Sequence, residues 1–210
     1  MPFRGAKAPR HMKNPSIVFV APRVARVVDV PFAEPGPGEV LVRTARSCVS
    51  SGTERANLVG DPMIGTNVKD GAEAVFPRHL GYALSGVVER TGEGVSSVRP
   101  GDRVAASWTK HSLFNVVPEG RVYKLPDCVD FEAGALAHVA TFPMAALRKC
   151  RLEFGESALV MGQGLLGQLA VVLARAAGAV PVLAADPAAD RPSAAAIPIN
   201  ARFIFSLLSK

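Results

Sequence analysis

The sequence predicts an α+β to α/β chain, with a β-rich first region followed by a parallel β-α-β unit. Three observations carry this reading. Short β-branched runs recur at regular spacing between residues 14 and 126. The character of the chain changes at Asp127, after which the apolar runs lengthen and take helical spacing. Finally, the turn Gly162-Gln163-Gly164-Leu165-Leu166-Gly167 joins an apolar strand to an apolar helix.

Taken in order, SIVFVA (16–21), VARVVDV (24–30) and EVLVRTA (39–45) read as strands, with EPGPGE (34–39) as a turn between the last two. LSGVVERTG (84–92) and DRVAAS (102–107) bracket SSVRPGD, and HSLFNVVP (111–118) and RVYKLP (121–126) follow. Short strands so spaced, with no helix expected between them, imply a closed or sandwich-like β-domain. Residues 59–79 hold Gly, Pro, Asp and Asn without a sustained period and read as a long loop. Beyond Asp127, Asp130 is placed to cap a helix with Glu132 and Ala133 in its first turn. Pro143 has no amide hydrogen and predicts two short helices rather than one across 127–150. SALVM (157–161) reads as a buried strand, LLGQLAVVLARAAG (165–178) as a helix closed by Gly178, and VPVLAA (180–185) as a second strand ending at Asp186. The expected organisation is therefore a disordered basic tail over 1–13, a β-domain over 14–126, connecting helices over 127–150, and a parallel unit over 151–210.

Composition excludes several classes. The chain has 210 residues, 49% of them hydrophobic, enough for one sizeable core or two small ones. Its net charge of +6 invites a nucleic-acid reading. Arg4, Lys7, Arg10 and Lys13 supply four of those charges from the tail, and no basic cluster elsewhere is interleaved with aromatics, so no nucleic-acid partner is expected. No apolar run reaches the roughly 18 residues of a membrane helix, and the tail lacks the apolar core of a secretory signal. Cys48, Cys128 and Cys150 are odd in number and widely spaced, which fits a reducing, cytoplasmic setting better than a disulfide framework.

The glycine turn carries the strongest chemical signal. Gly162 permits a tight turn out of the strand. Gly164 has no side chain to keep a pyrophosphate from the backbone, and Gly167 allows close helix packing. Amide groups at the helix start, around Leu165 and Leu166, would face the phosphates with the positive end of the helix dipole behind them. Asp186 would accept hydrogen bonds from the ribose hydroxyls and repel a 2′-phosphate, favouring NAD(H) over NADP(H). The competing reading is a glycine-rich turn with no ligand.

PGPGEVLVRTARSCVSSGTE (35–54), GYALSGVVERTGEGVSSVRPGDRVAA (81–106) and ALVMGQGLLGQLAVVLARAAGA (158–179) give the chain a resemblance to the medium-chain dehydrogenase/reductase family. That resemblance implies a GroES-like barrel followed by a Rossmann domain. It also implies hydride transfer between a nicotinamide and an alcohol or carbonyl compound. Zinc-type members carry a cysteine in the segment matching 48–54 and His-Glu after the glycine matching Gly81. Here Ser50 takes the cysteine position, Tyr82 and Ala83 follow Gly81, and the third ligand position falls near Ala137. A zinc site needs three ligands of N, S or carboxylate type, so the resemblance points to a subgroup without catalytic zinc. Cys48 and His138 as a displaced pair would still lack a third ligand.

Without zinc, hydroxyl donors would polarise the substrate oxygen. Ser50, Ser51, Thr53 and Tyr82 fall where the resemblance places the substrate cleft, with Tyr82 preferred as donor or general acid. Glu54 and Arg55 are polar residues of the same loop, and His79 and His111 receive no role. Thr141 matches a family threonine beside the nicotinamide and is otherwise an N-cap before Phe142-Pro143. The family's Rossmann sheet has more strands than this chain supplies. FIFSLL (203–208) has strand composition, but Pro192 and Pro198 disfavour the helix expected before it. The expectation is an incomplete nucleotide domain, with a small-molecule substrate as partner and room for a homo-oligomer. A non-catalytic nucleotide-binding module and an inactive fragment stand as alternatives.

Overall fold

A computed structural model describes residues 12–61, 64 and 75–188. The tail to residue 11, most of the loop at 62–74 and the FIFSLL segment lie outside them. The chain forms two compact units, one running through Ala135 and one from Leu136.

The first unit contains β1 (Pro15–Ala21), β2 (Val24–Asp29), β3 (Glu39–Ser47), α1 (Ser51–Val59), β4 (Arg78–His79), β5 (Ala83–Thr91), β6 (Arg103–Ser107), β7 (Phe114–Pro118) and β8 (Val122–Lys124). They build a five-stranded sheet in the order β7-β3-β5-β6-β8 and a three-stranded sheet in the order β2-β1-β4. Every pairing in both is antiparallel. The larger sheet forms because its strands present β-branched residues to one interior. Val40, Val42, Leu84, Val88, Val98, Val104, Ala106, Val117 and Val122 make one buried cluster. Burying a side chain such as Leu84 contributes about 1.5–3 kcal/mol. The segment after β6 stitches the two sheets together. Ile17 N–H donates to the His111 carbonyl (2.8 Å) and Leu113 N–H to that of Pro15 (3.0 Å). Asn14 both accepts from Phe114 N–H (2.7 Å) and donates to its carbonyl (3.2 Å).

Three expectations differ from the structure. The β-domain does contain a helix between strands, α1. It was not visible as a helix because its buried residues are Glu54 and Asn57, so it has no apolar periodicity. Gly60, in the left-handed region at φ 76°, closes it. The second correction concerns Pro143. α2 (Phe131–Lys149) is one continuous helix with the proline inside it. Val139, Ala140 and Pro143 are all buried, so the ring lies on the packed face, and side-chain burial offsets the missing backbone donor. Asp130 does accept the Ala133 N–H, at 2.7 Å.

In the second unit, β9 (Ala158–Met161), α3 (Leu165–Ala176) and β10 (Val182–Ala185) form the expected parallel β-α-β arrangement, with Ala158 opposite Val182 and Met161 opposite Ala185. Leu169, Val171, Val172, Leu173 and Ala174 form the buried side of α3. β9 is not the buried strand expected. Leu159 is 63% and Met161 80% exposed. Exposure alternates along β9, so Leu159 and Met161 share one face of the strand, and among the described residues that face is uncovered.

Candidate functional site

The first unit places Ser50 at the N-cap of α1, and its side chain lies close enough to the Tyr82 phenol to act on its proton affinity. Ser51 and Thr53 are exposed in the first turn of the same helix. Of the four hydroxyl residues singled out in the sequence, Ser50 and Tyr82 are thus brought together. The Tyr82 backbone is held as well. Its carbonyl accepts the Trp108 N–H at 2.7 Å, and the Ala83 carbonyl accepts the Cys48 N–H at 3.0 Å. Gly81 has φ 110°, and a Cβ there would press on the His111 amide and the Lys110 backbone, so this position requires glycine.

Beneath the two hydroxyls lies a buried polar chain that sequence reasoning did not find. His111 Nε2 meets Glu54 Oε2 at 2.8 Å, and their side chains are only 3% and 6% exposed. The other ring nitrogen meets Ser47 Oγ at 2.8 Å, and Glu54 Oε1 accepts the Ser50 N–H at 3.0 Å. No local signal marks this set, because 57 residues separate the imidazole from the carboxylate. Burial, and then the Glu54 charge, push the Cys48 thiol up from its ordinary value. Burial also raises the Tyr82 phenol, opposed by the Ser50 side chain and helped by Cys48 and Glu54. Trp108, another residue not singled out, is 60% exposed and held at φ 58° beside Tyr82. A bulky residue in that backbone region is uncommon.

A zinc ion does not fit this donor set. Both His111 nitrogens and both Glu54 oxygens already face protein partners. Among the described residues no group of three or more His, Cys, Asp or Glu is disposed to hold a metal. His138 lies in the second unit, its ring against Phe142 at 5.6 Å, and burial lowers its pKa. Thr141 is not an N-cap. It sits inside α2, donating to the His138 carbonyl at 2.6 Å.

In the second unit the glycine turn has the following geometry. Gly162 has φ 88°, and a Cβ on Gly167 would overlap the Gly162 carbonyl oxygen, so α3 begins hard against the turn. Gly164 is the N-cap and offers no side-chain cap to the first amides, those of Leu165 and Leu166 among them. Asp186 reaches across from the end of β10: Oδ2 accepts the Gln163 N–H at 2.6 Å and Oδ1 that of Ala188 at 2.8 Å. The acidic group therefore stands at the turn itself. These residues fit a dinucleotide, with uncapped helix amides for phosphate and a half-buried carboxylate beside them.

An antiparallel β-domain continued by a glycine-turned parallel β-α-β unit is the plan of a medium-chain dehydrogenase/reductase. Comparison with known proteins agrees: residues 36–182 match the alcohol dehydrogenase GroES-like domain, and the chain belongs to that family. It is 32% identical to sorbitol dehydrogenase of Macaca fascicularis over 213 residues, covering 87% of this chain and 58% of that protein. Among solved structures, alcohol dehydrogenase from Thermus sp. ATN1 shares the fold at a TM-score of 0.74, with 24% identity over 90% of this chain and 63% of that one. A protein described as a zinc-binding dehydrogenase from Sinorhizobium meliloti 1021, bound to NADP, gives 0.72 with 21% identity, over 86% of this chain and 58% of that one. The chain thus spans less than two thirds of the length of each.

Proposed function

We propose that this chain belongs to an NAD(H)-dependent oxidoreductase that moves a hydride between a nicotinamide and an alcohol or carbonyl substrate without catalytic zinc. The observation that carries the reading is the Asp186 carboxylate fixed at the glycine turn by the Gln163 N–H. There it would accept the ribose hydroxyls and repel a 2′-phosphate. The cofactor, when bound, supplies or accepts the hydride. The Tyr82 phenol would hydrogen-bond the substrate oxygen and give it a proton as charge develops there, with Ser50 holding the phenol in place. In the oxidative direction the same phenol oxygen takes the proton back. The substitution of Tyr82 and Ser50 at the family's ligand positions, and the commitment of Glu54 and His111 to each other, support chemistry without zinc.

The test is a cofactor titration followed by turnover over a panel of aldehydes, ketones and polyols. Asp186→Ser should invert a preference for NADH over NADPH, and Tyr82→Phe should lower kcat about 100-fold while leaving NADH binding intact. Equal, weak binding of both nucleotides by the unaltered chain would remove the cofactor assignment. Unchanged turnover in the Tyr82 variant would remove the catalytic one.

A further inference from the structure

We infer that the buried Glu54–His111 pair is a positioning device that sets the Ser50–Tyr82 hydroxyl pair. This rests on the reading of those hydroxyls as the groups that face the substrate oxygen. His111 is tied to both sides of that pair. Its ring holds Glu54, whose other oxygen fixes the Ser50 amide at the start of α1. Its main chain holds the opposite segment: His111 N–H donates to the Leu80 carbonyl at 2.9 Å, and Gly81 lies so close that it has no room for a Cβ. The Ser50 and Tyr82 segments are therefore registered against one residue. Ser47 completes the set by orienting the imidazole at 2.8 Å. A buried carboxylate–imidazole contact is costly to assemble, and neither group is exposed enough to meet a substrate. Their geometry acts on both sides of the hydroxyl pair, through the Ser50 amide held by Glu54 and through the Leu80 carbonyl held by the His111 N–H.

The arrangement predicts a coupling that a purely structural core would not show. The chain has two tyrosines, so Tyr123→Phe leaves Tyr82 as the only one, and ¹³Cζ-tyrosine labelling then gives a single phenol resonance that reports its hydrogen bonding. In that background Ser50→Ala should move the resonance. His111→Asn, which keeps a partner for Ser47 but cannot reach Glu54, should move it by a similar amount. His111→Gln, whose amide can reach Glu54, should leave it near its starting position. In the Ser50→Ala background, His111→Asn should add no further shift. The inference is overturned if His111→Asn leaves the resonance in place, or moves it equally with and without Ser50. Thermal melting reports whether each variant is folded. Should His111→Asn fail to fold, Ser47→Ala is the milder perturbation; a Tyr82 shift in the same direction supports the inference, and no shift overturns it. None of this requires turnover. An unaffected Tyr82→Phe enzyme would defeat the catalytic reading while leaving the coupling measured.

Discussion

Glu54 and Asp186 are both carboxylates that receive a backbone N–H beside a helix start, yet they sit in opposite circumstances. Glu54 is sealed inside the first unit with an imidazole on its second oxygen. Asp186 is half-buried at the end of β10, and the hydrogen bonds described for it come from the N–H groups of Gln163 and Ala188. A sealed carboxylate is coupled to folding, because losing its counter-group leaves a charge with no solvent. A half-open carboxylate can be changed at less cost to the fold than a sealed one. The largest expected effect follows directly. His111→Leu should cost the first unit about 3–5 kcal/mol, the cost of stranding a buried charge. Urea unfolding followed through the single tryptophan, Trp108, measures it. A cost under about 1 kcal/mol would mean that Glu54 escapes to water and that the contrast fails.

The two units also contain glycines of opposite character. Gly81 and Gly162 both have positive φ, at 110° and 88°. A Cβ on Gly81 would meet the His111 and Lys110 backbone, whereas one on Gly162 would meet nothing within 4 Å. Gly81→Ala should therefore cost about 3 kcal/mol, strain and overlap together. Gly162→Ala should cost about 1 kcal/mol, from strain alone. Denaturant midpoints of the two variants give the comparison directly, and equal losses would show that the backbone near His111 yields.

This contrast also explains what could be read from the sequence. The β-α-β unit and its acidic end were legible because every part is local: apolar strand, glycine turn, apolar helix, aspartate. The antiparallel strands were legible from β-branched runs for the same reason. α1 was hidden because its packed face is polar, and the partner that makes Glu54 tolerable inside the protein is on a distant segment. Tyr82 and Ser50 stand out only through the family resemblance, not through any pattern in the residues around them. His111 was passed over because an isolated histidine gives no sign of what the fold brings to it. Pro143 misled in the other direction, since a local rule about backbone donors gave way to burial along α2.

A smaller effect concerns Asp186 itself. Asp186→Ser should cost about 1 kcal/mol, the worth of its backbone hydrogen bonds, and should leave the first unit's unfolding unchanged. A loss as large as that of His111→Leu would place Asp186 in the same structural class as Glu54 and weaken its reading as a ligand group.

The smallest expected effect comes from a carboxylate of a third kind, at the surface. Asp102 Oδ2 accepts from Lys124 Nζ at 2.8 Å and from the Arg99 N–H at 2.8 Å. The Lys124 hydrogen bond holds its carboxyl below the usual range; burial opposes it, and the Arg99 amide and the Lys124 and Arg99 charges add to the lowering. Because the folded value is depressed, the unfolded chain takes up the proton first as pH falls below about 4. The stabilisation is complete above that point and is lost as pH falls through the lower folded value. Lys124 is half-exposed, so solvent and salt screen the pair and its worth is about 0.5 kcal/mol. Lys124→Met should therefore lower the urea midpoint slightly at pH 7, and the gap to the parent chain should narrow toward pH 3. An equal gap at both pH values would mean that the Lys124 ammonium acts other than through the Asp102 carboxylate.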